Sequence, residues 1–432
     1  MYKVGFCTLG CKVNQYETEA MGELFEKSGF MIADFNDICD IYVINTCTVT
    51  GTGDKKSRQM IRRAKKLNEN AVICVVGCYS QVSPDDVKNI PGVNIVLGTK
   101  DRIKIVDMVE EYLKTNQNVS AVEDIMKMRL YENIGLENMS GKTRAFVKIE
   151  DGCTEFCSYC IIPYARGPVR SRDITDIVKE VTSLSEKGFS EIVLTGIHLA
   201  SYGRDLKTVS LLDAIKAVCD IDGIKRVRLG SVEPRLLTEE FIKEIAKLPK
   251  VCDHFHISLQ SGCDETLKRM NRKYLADEYR NSVKLLRKYY ANPSITTDII
   301  AGFPGETEEE FNATLEFLKE ISFAEAHIFP YSNRKGTKAD TMPNQVPKHI
   351  REERARLLIT EAKKCGADYL KTFTGKKVNV LFEREIGEQI YEGTTSNYIK
   401  VHVKSDADIS HTYVDCIITD ANAECAIGEI IK

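Results

Sequence analysis

The feature that most constrains this chain is an alternation repeated along most of its length. Short apolar, β-rich runs are each followed by a longer stretch with helical spacing. Over residues 1–116 the runs are KVGF, IYVIN, VICVVG and NIVLG, separated by segments such as ETEAMGELFEKSG, which ends at a glycine stop. Strands joined through helices run parallel, with the helices covering the sheet faces, so an α/β domain is expected here. Residues 117–140 lose the period and read as a linker. From 141 to 371 the rhythm returns as RAFVKI, EIVLTG, KRVRLG, HFHISL, ITTDII and EAHIFP, again with helical segments between them. Thr307 with Glu310 predicts a capping box at the start of one of those helices. Six such units fit an open partial barrel or a doubly wound sheet, and the pattern leaves both open. A charged helix follows, HIREERARLLITEAKKCGADYLKTF. Residues 372–432 then change to strand-like alternation, which predicts a five-stranded barrel of the oligonucleotide-binding kind.

The chain contains 15 cysteines. No apolar run approaches the ~18 residues of a membrane span, and MYKVGFCTLGCKVNQYE lacks a signal-peptide pattern. The expected location is therefore cytoplasmic. In that reducing compartment, metal or redox use is favoured over a disulfide framework. The net charge of −3 does not advertise nucleic-acid binding, so any basic surface must be local.

Cys153, Cys157 and Cys160 follow RAFVKIED directly, in a CxxxCxxC spacing with no fourth cysteine nearby. Zinc knots usually supply four ligands, and ferredoxin runs use CxxCxxC. Three thiolates can instead hold three irons of a 4Fe-4S cube and leave the fourth open. Zinc binding and simple burial are the alternatives. A second trio has its own regularity. TLGC, INTC and VVGC place Cys11, Cys47 and Cys78 just beyond three strands. The carboxyl ends of parallel strands share one edge, so these thiols should converge. Cys7, Cys39 and Cys74 lie in or near the apolar runs and read as buried packing.

These features together resemble the radical S-adenosylmethionine methylthiotransferases. The matching stretches are TLGCKVNQYE, NTCTVT, GCYSQ, EDGCTEFCSYCIIPYARG, LTGIHLASYG, LGSVEP, HISLQSG, DIIAGFPGETEEEF and FPYSNRKGTKA. The resemblance implies a central partial (β/α)6 barrel, two 4Fe-4S clusters and S-adenosylmethionine as cofactors, and a C-terminal TRAM module that binds RNA. TLGCKVNQYE is similar to the branch that adds a methylthio group to carbon 2 of threonylcarbamoyladenosine beside the anticodon of tRNA. Two S-adenosylmethionine molecules would be used, one to methylate the sulfur and one to supply the radical. Relatives act on isopentenyladenosine in tRNA or on an aspartate of a ribosomal protein. An RNA-binding iron–sulfur electron carrier is the non-enzymatic alternative. By the same resemblance, Tyr159 would pack on the adenine of the cofactor. Gly196 and His198 would approach its methionine end, Ser231 and Glu233 its ribose side, and Gln260 and Gly302 would flank the pocket. A flavodoxin or ferredoxin would be the reductant.

The tRNA anticodon stem-loop needs phosphate contacts. DKKSRQMIRRAKKL, residues 54–67, predicts a helix with Met60, Ile61, Ala64 and Leu67 on its buried side. Lys55, Lys56, Arg58, Arg62 and Arg63 would lie on its basic side, with a merely solvated charged face as the alternative. Arg166, Arg170 and Arg172 form a second candidate patch. The expected barrel at 372–432 has six basic and ten acidic residues, so attraction to phosphate cannot be its main contribution.

Overall fold

The computed structural model describes residues 1–49, 51–136, 143–422 and 424–431. Six parallel strands form the first sheet: β1 (Lys3–Thr8), β2 (Met31–Ala33), β3 (Ile41–Thr46), β4 (Val72–Gly77), β5 (Ile95–Leu97) and β6 (Val119–Ala121). Their order is β2-β1-β3-β4-β5-β6. The interior strands β3 and β4 are buried at every position, as expected of parallel strands covered on both faces. Helices α1 (Lys12–Lys27) and α2 (Gly51–Leu67) follow β1 and β3.

The segment expected as a linker at 117–140 is partly structured. It contains the edge strand β6, and Leu136 packs into the core of the next domain. The sequence signal failed because VSA is short and only half-buried. Residues 137–140 lie outside the described residues.

The central strands are β7 (Arg144–Lys148), a two-residue ladder of β8 (Glu150–Asp151) with β9 (Arg170–Ser171), then β10 (Glu191–Thr195), β11 (Arg226–Leu229), β12 (His254–His256), β13 (Ser294–Ala301) and β14 (Glu325–Pro330). They pair in parallel as β7-β10-β11 and β12-β13-β14. Bridges Val227–Val251 and Val232–Ile257 join the two halves. The resulting order follows the chain from β7 to β14, which is the open partial barrel rather than a doubly wound sheet. Alternate side chains such as Ala145, Val147, Leu194 and Ile299 pack outward against helices. The others face the lumen. Thr307 and Glu310 form the expected capping box.

The tail closes as a barrel in the order β15-β16-β17-β19-β18, from β15 (Lys377–Gly387), β16 (Ile390–Thr395), β17 (Lys400–Lys404), β18 (Tyr413–Ala421) and β19 (Ala426–Ile430). It docks where β7, β10 and β11 begin. Arg226 donates to the carbonyls of Thr394 and Asn379, and Arg228 to those of Thr395 and Ser396. Tyr398 stacks on His254 at 4.8 Å and carries the Arg228 guanidinium at 4.6 Å. The small barrel therefore covers the end of the lumen opposite the cysteine loop.

Candidate active site

Cys11, Cys47 and Cys78 sit where β1, β3 and β4 end, and they come together as the shared sheet edge requires. Each sulfur is within electrostatic reach of the others. The approach is tight. Gly10 has a φ of +102°, and a Cβ there would stand 2.8 Å from the Cys47 Cβ. Asn14 braces the edge by donating to the carbonyls of Leu9 and Thr46. By contrast, Cys39 and Cys74 are fully buried, and Cys7 packs beside the core.

The second trio forms in the loop after β8. The Cys153, Cys157 and Cys160 sulfurs are mutually close. Backbone N–H groups of Glu155 and Ile162 point at the Cys153 and Cys160 sulfurs, as that of Val49 does at Cys47. Arg272 donates to the Cys157 Sγ at 3.1 Å and to Glu233 at 3.1 Å.

Zinc with four thiolates at about 2.3 Å would require sulfurs about 3.8 Å apart. Among the described residues, no set of three ligand atoms within 4.8 Å contains a cysteine. Each set offers three thiols, one short of the four ligands of a structural zinc site. Burial pushes Cys78 up to about 12 despite the nearby Arg166 charge, and burial with the neighbouring Cys157 pushes Cys160 up to about 12. Ligation to a metal is what would leave such buried thiols deprotonated.

A polar network links the N-terminal trio to the helix that follows the central one. The short helix Ile162–Arg166 begins two residues after Cys160, and the Arg166 Nε donates to the Cys78 Sγ at 3.3 Å. Arg166 also pairs with Glu17 at 2.5 Å and Asp151 at 3.4 Å, and donates to Asn14 at 2.6 Å. Lys148 and Arg102 complete the ring around Glu17. Burial alone would raise Glu17. The charges of Arg102, Arg166 and Lys148 outweigh it and hold the carboxyl down at about 2.

Arg166 and Arg170 were expected to contact phosphate. They are 0% and 2% exposed and turned into this interior, and Arg172, also 2% exposed, pairs with Glu180 at 2.8 Å. Their basic spacing reflects buried carboxylates, and that candidate patch is not a surface. On α2 the expectation fares differently. Lys55, Lys56, Arg62 and Arg63 are exposed, while Ile61 and Ala64 are buried. Arg58 is half-buried against the Tyr79 ring and donates to its hydroxyl.

Beyond β10 and β11, His198 and Glu233 meet Glu155. Their ligand atoms lie within 4.8 Å of one another, next to the cysteine loop. The His198 Nε2 is 3.4 Å from the Glu233 Oε1. Burial raises Glu233, but the His198 hydrogen bond and the Arg272 charge reverse this and hold it at about 2. The His198 backbone N–H donates to the Glu150 Oε2 at 2.7 Å, and a Cβ on Gly196 would strike that same oxygen at 2.6 Å. Ser231 is exposed nearby in sequence.

Three further residues have structural explanations of their own. Tyr159 meets Phe303 edge-on at 6.4 Å. Gln260 has a φ of +73° and bridges to Ile299. Gly302 has a φ of +72°, and a Cβ there would strike Arg351 at 2.3 Å. Glu155, Arg272 and the Glu17–Asp151 network were missed. Glu155 lies inside the CTEFC loop and was within reach of a motif argument, whereas Arg272 has no local signal.

The Radical SAM superfamily model matches residues 147–318, and that of uncharacterized protein family UPF0004 matches residues 3–98. The threonylcarbamoyladenosine tRNA methylthiotransferase MtaB of Bacillus subtilis is 42% identical, covering 100% of this chain and 97% of its own length. The tRNA-2-methylthio-N(6)-dimethylallyladenosine synthase of Clostridium tetani is 37% identical, over 88% of this chain and 84% of its own. In fold the chain is similar to the radical S-adenosylmethionine methyltransferase TsrM of Kitasatospora setae, with a TM-score of 0.57 and 15% identity over 78% of this chain and 77% of that one. No helix among the described residues is long and apolar enough to cross a membrane. With full-length identity of this order and both cysteine trios assembled, the chain belongs to the radical S-adenosylmethionine tRNA methylthiotransferase family.

Proposed function

We propose that this chain installs a methylthio group on the adenine of threonylcarbamoyladenosine in tRNA. One observation carries the reading: two incomplete thiolate sets flank one short helix, which follows Cys160 in the chain and whose Arg166 bonds the Cys78 sulfur of the other set. Relatives named for this substrate are 39–42% identical, and those named for dimethylallyladenosine 33–37%.

Cys153, Cys157 and Cys160 would hold one 4Fe-4S cluster, and Cys11, Cys47 and Cys78 the other. When bound, the first cluster with S-adenosylmethionine supplies radical abstraction of an unactivated hydrogen. The protein's own residues prepare the ground. Arg272 fixes the Cys157 sulfur and keeps Glu233 ionised. Glu233 pairs with Arg272 and Arg235, and Glu155 with Arg204 and Arg235, so the polar rim beside the cysteine loop is held in place by these ion pairs. Glu150 anchors the turn carrying Gly196 and His198. The C-terminal barrel closes the far end of the lumen and limits water entry. The exposed face of α2 would take phosphates of the anticodon stem-loop. A small one-electron carrier protein would serve as reductant, and the expected site of action is the cytoplasm.

Nucleoside mass spectrometry of tRNA from a deletion strain tests the reading. Loss of methylthio-threonylcarbamoyladenosine with retention of threonylcarbamoyladenosine is expected. An unchanged profile overturns it.

A further inference from the structure

Lys12 opens α1 directly after Cys11, and its side chain leaves its own domain. The ammonium lies 6.0 Å from the ring centroid of Phe146, a lumen-facing residue of β7. Arg228, Arg144 and Glu191 are within electrostatic reach, and so is His254. Lys12 is exposed to solvent, so its ammonium is not part of the packed core.

Its cationic neighbours each have a carboxylate partner. Arg228 bonds Glu191 at 2.9 Å and the Ser396 carbonyl at 2.7 Å, and Arg144 pairs with Glu383 at 2.6 Å. Glu191 is fully buried and holds Arg228, Arg226 and Arg144 at 2.9, 3.5 and 3.7 Å, and it is not within ion-pair distance of Lys12. Among the described residues, Lys12 has the Phe146 ring as its partner and no carboxylate within ion-pair distance. The lumen thus offers one unclaimed ammonium, beside the auxiliary thiols and in a place already rich in positive charge.

We propose that Lys12 is a specificity-determining residue that pairs with the carboxylate of the threonylcarbamoyl group. This rests on the functional reading above and deepens it. The substituent on the adenine ends in an amino-acid carboxylate, ionised at neutral pH, whereas a dimethylallyl group is a neutral hydrocarbon. A site built around an unpaired charge rejects a ligand that cannot satisfy it, because the charge then stays partly desolvated and alone. The lumen position favours a base substituent over a backbone phosphate, since an extruded base enters the enzyme while its phosphates stay outside.

The test uses the reconstituted holoenzyme and anticodon stem-loops carrying threonylcarbamoyladenosine, its carboxylate methyl ester, or unmodified adenosine. Binding is read by fluorescence anisotropy and product by mass spectrometry, with iron content measured on every variant. Wild type should bind the acid roughly 10- to 100-fold more tightly than the ester. Lys12→Gln should lose that preference and bind acid and ester alike, and Lys12→Arg should recover most of it. If Lys12→Gln disturbs iron content, the wild-type ester penalty and the Lys12→Arg variant decide the matter. A Lys12→Gln enzyme that still discriminates acid from ester overturns the proposal. So does an equal loss of affinity for the unmodified loop, which would mark a phosphate contact. A wild-type enzyme that modifies a dimethylallyladenosine loop and not the threonylcarbamoyl loop would instead sink the functional reading, whatever Lys12 does.

Discussion

Cys157 and Cys47 test the two thiolate sets one residue at a time. Cys157→Ala should leave about four irons per chain instead of about eight and abolish S-adenosylmethionine cleavage. Cys47→Ala should lose a similar share of iron, keep uncoupled cleavage and stop sulfur transfer. Iron analysis and detection of 5′-deoxyadenosine separate the two. Retained cleavage in the first variant, or sulfur transfer in the second, removes that cysteine from its set. Glu150 makes a different prediction. Burial, helped by Asp151 and opposed by the His198 N–H, raises its carboxyl to about 8. An acid raised on folding stabilises the fold while protonated, and that contribution is lost as pH rises from the ordinary carboxylate range through about 8. Relative to wild type, Glu150→Gln should therefore gain stability with rising pH, by at most about 1.4 kcal/mol per pH unit. Urea unfolding at pH 5.5 and 8.5 checks the sign. At this scale the six cysteines were legible because their positions relative to strand ends imply proximity. Arg166 and Arg170 misled because a charge in a sequence does not say which carboxylate will bury it.

Among the elements, the turn after β1 and the helix α2 are the most exposed to test. Gly10 has a backbone that a side chain rarely adopts and sits against Cys47. Gly10→Ala should disrupt the N-terminal thiolate set while sparing the central one, seen as loss of about half the iron with S-adenosylmethionine cleavage retained. On α2, replacing Lys55, Lys56 and Arg62 with glutamine should flatten the salt dependence of tRNA binding by about 0.7 in slope per lost contact. An unchanged slope would leave these residues as a solvated face. Ten strands across the first two domains were readable from apolar runs. The short strands β2 and β6 were not, since an exposed or half-covered edge of three residues has no apolar signature.

For the whole molecule, the decisive feature is the buried ionic junction between the first and second domains. Removing one member of such a network leaves its partners charged and unpaired. Arg166→Met should cost about 3–5 kcal/mol in urea unfolding of the reconstituted enzyme, far more than any exposed arginine on α2. Loss below about 1 kcal/mol would mean that Glu17 and Asp151 find other partners. By itself, the sequence determined the parallel sheet, the strand-end position of both cysteine trios and the barrel at the tail, because periodicity and spacing act over short stretches of chain. Periodicity left the open barrel and the doubly wound sheet both open, and the open barrel implied by the family resemblance is the one that forms; only the tertiary structure decided that Arg166 turns inward onto Cys78 and Glu17, and that Lys12 reaches into a neighbouring domain. Those outcomes depend on which charges and surfaces meet across more than a hundred residues, and no local pattern records such meetings.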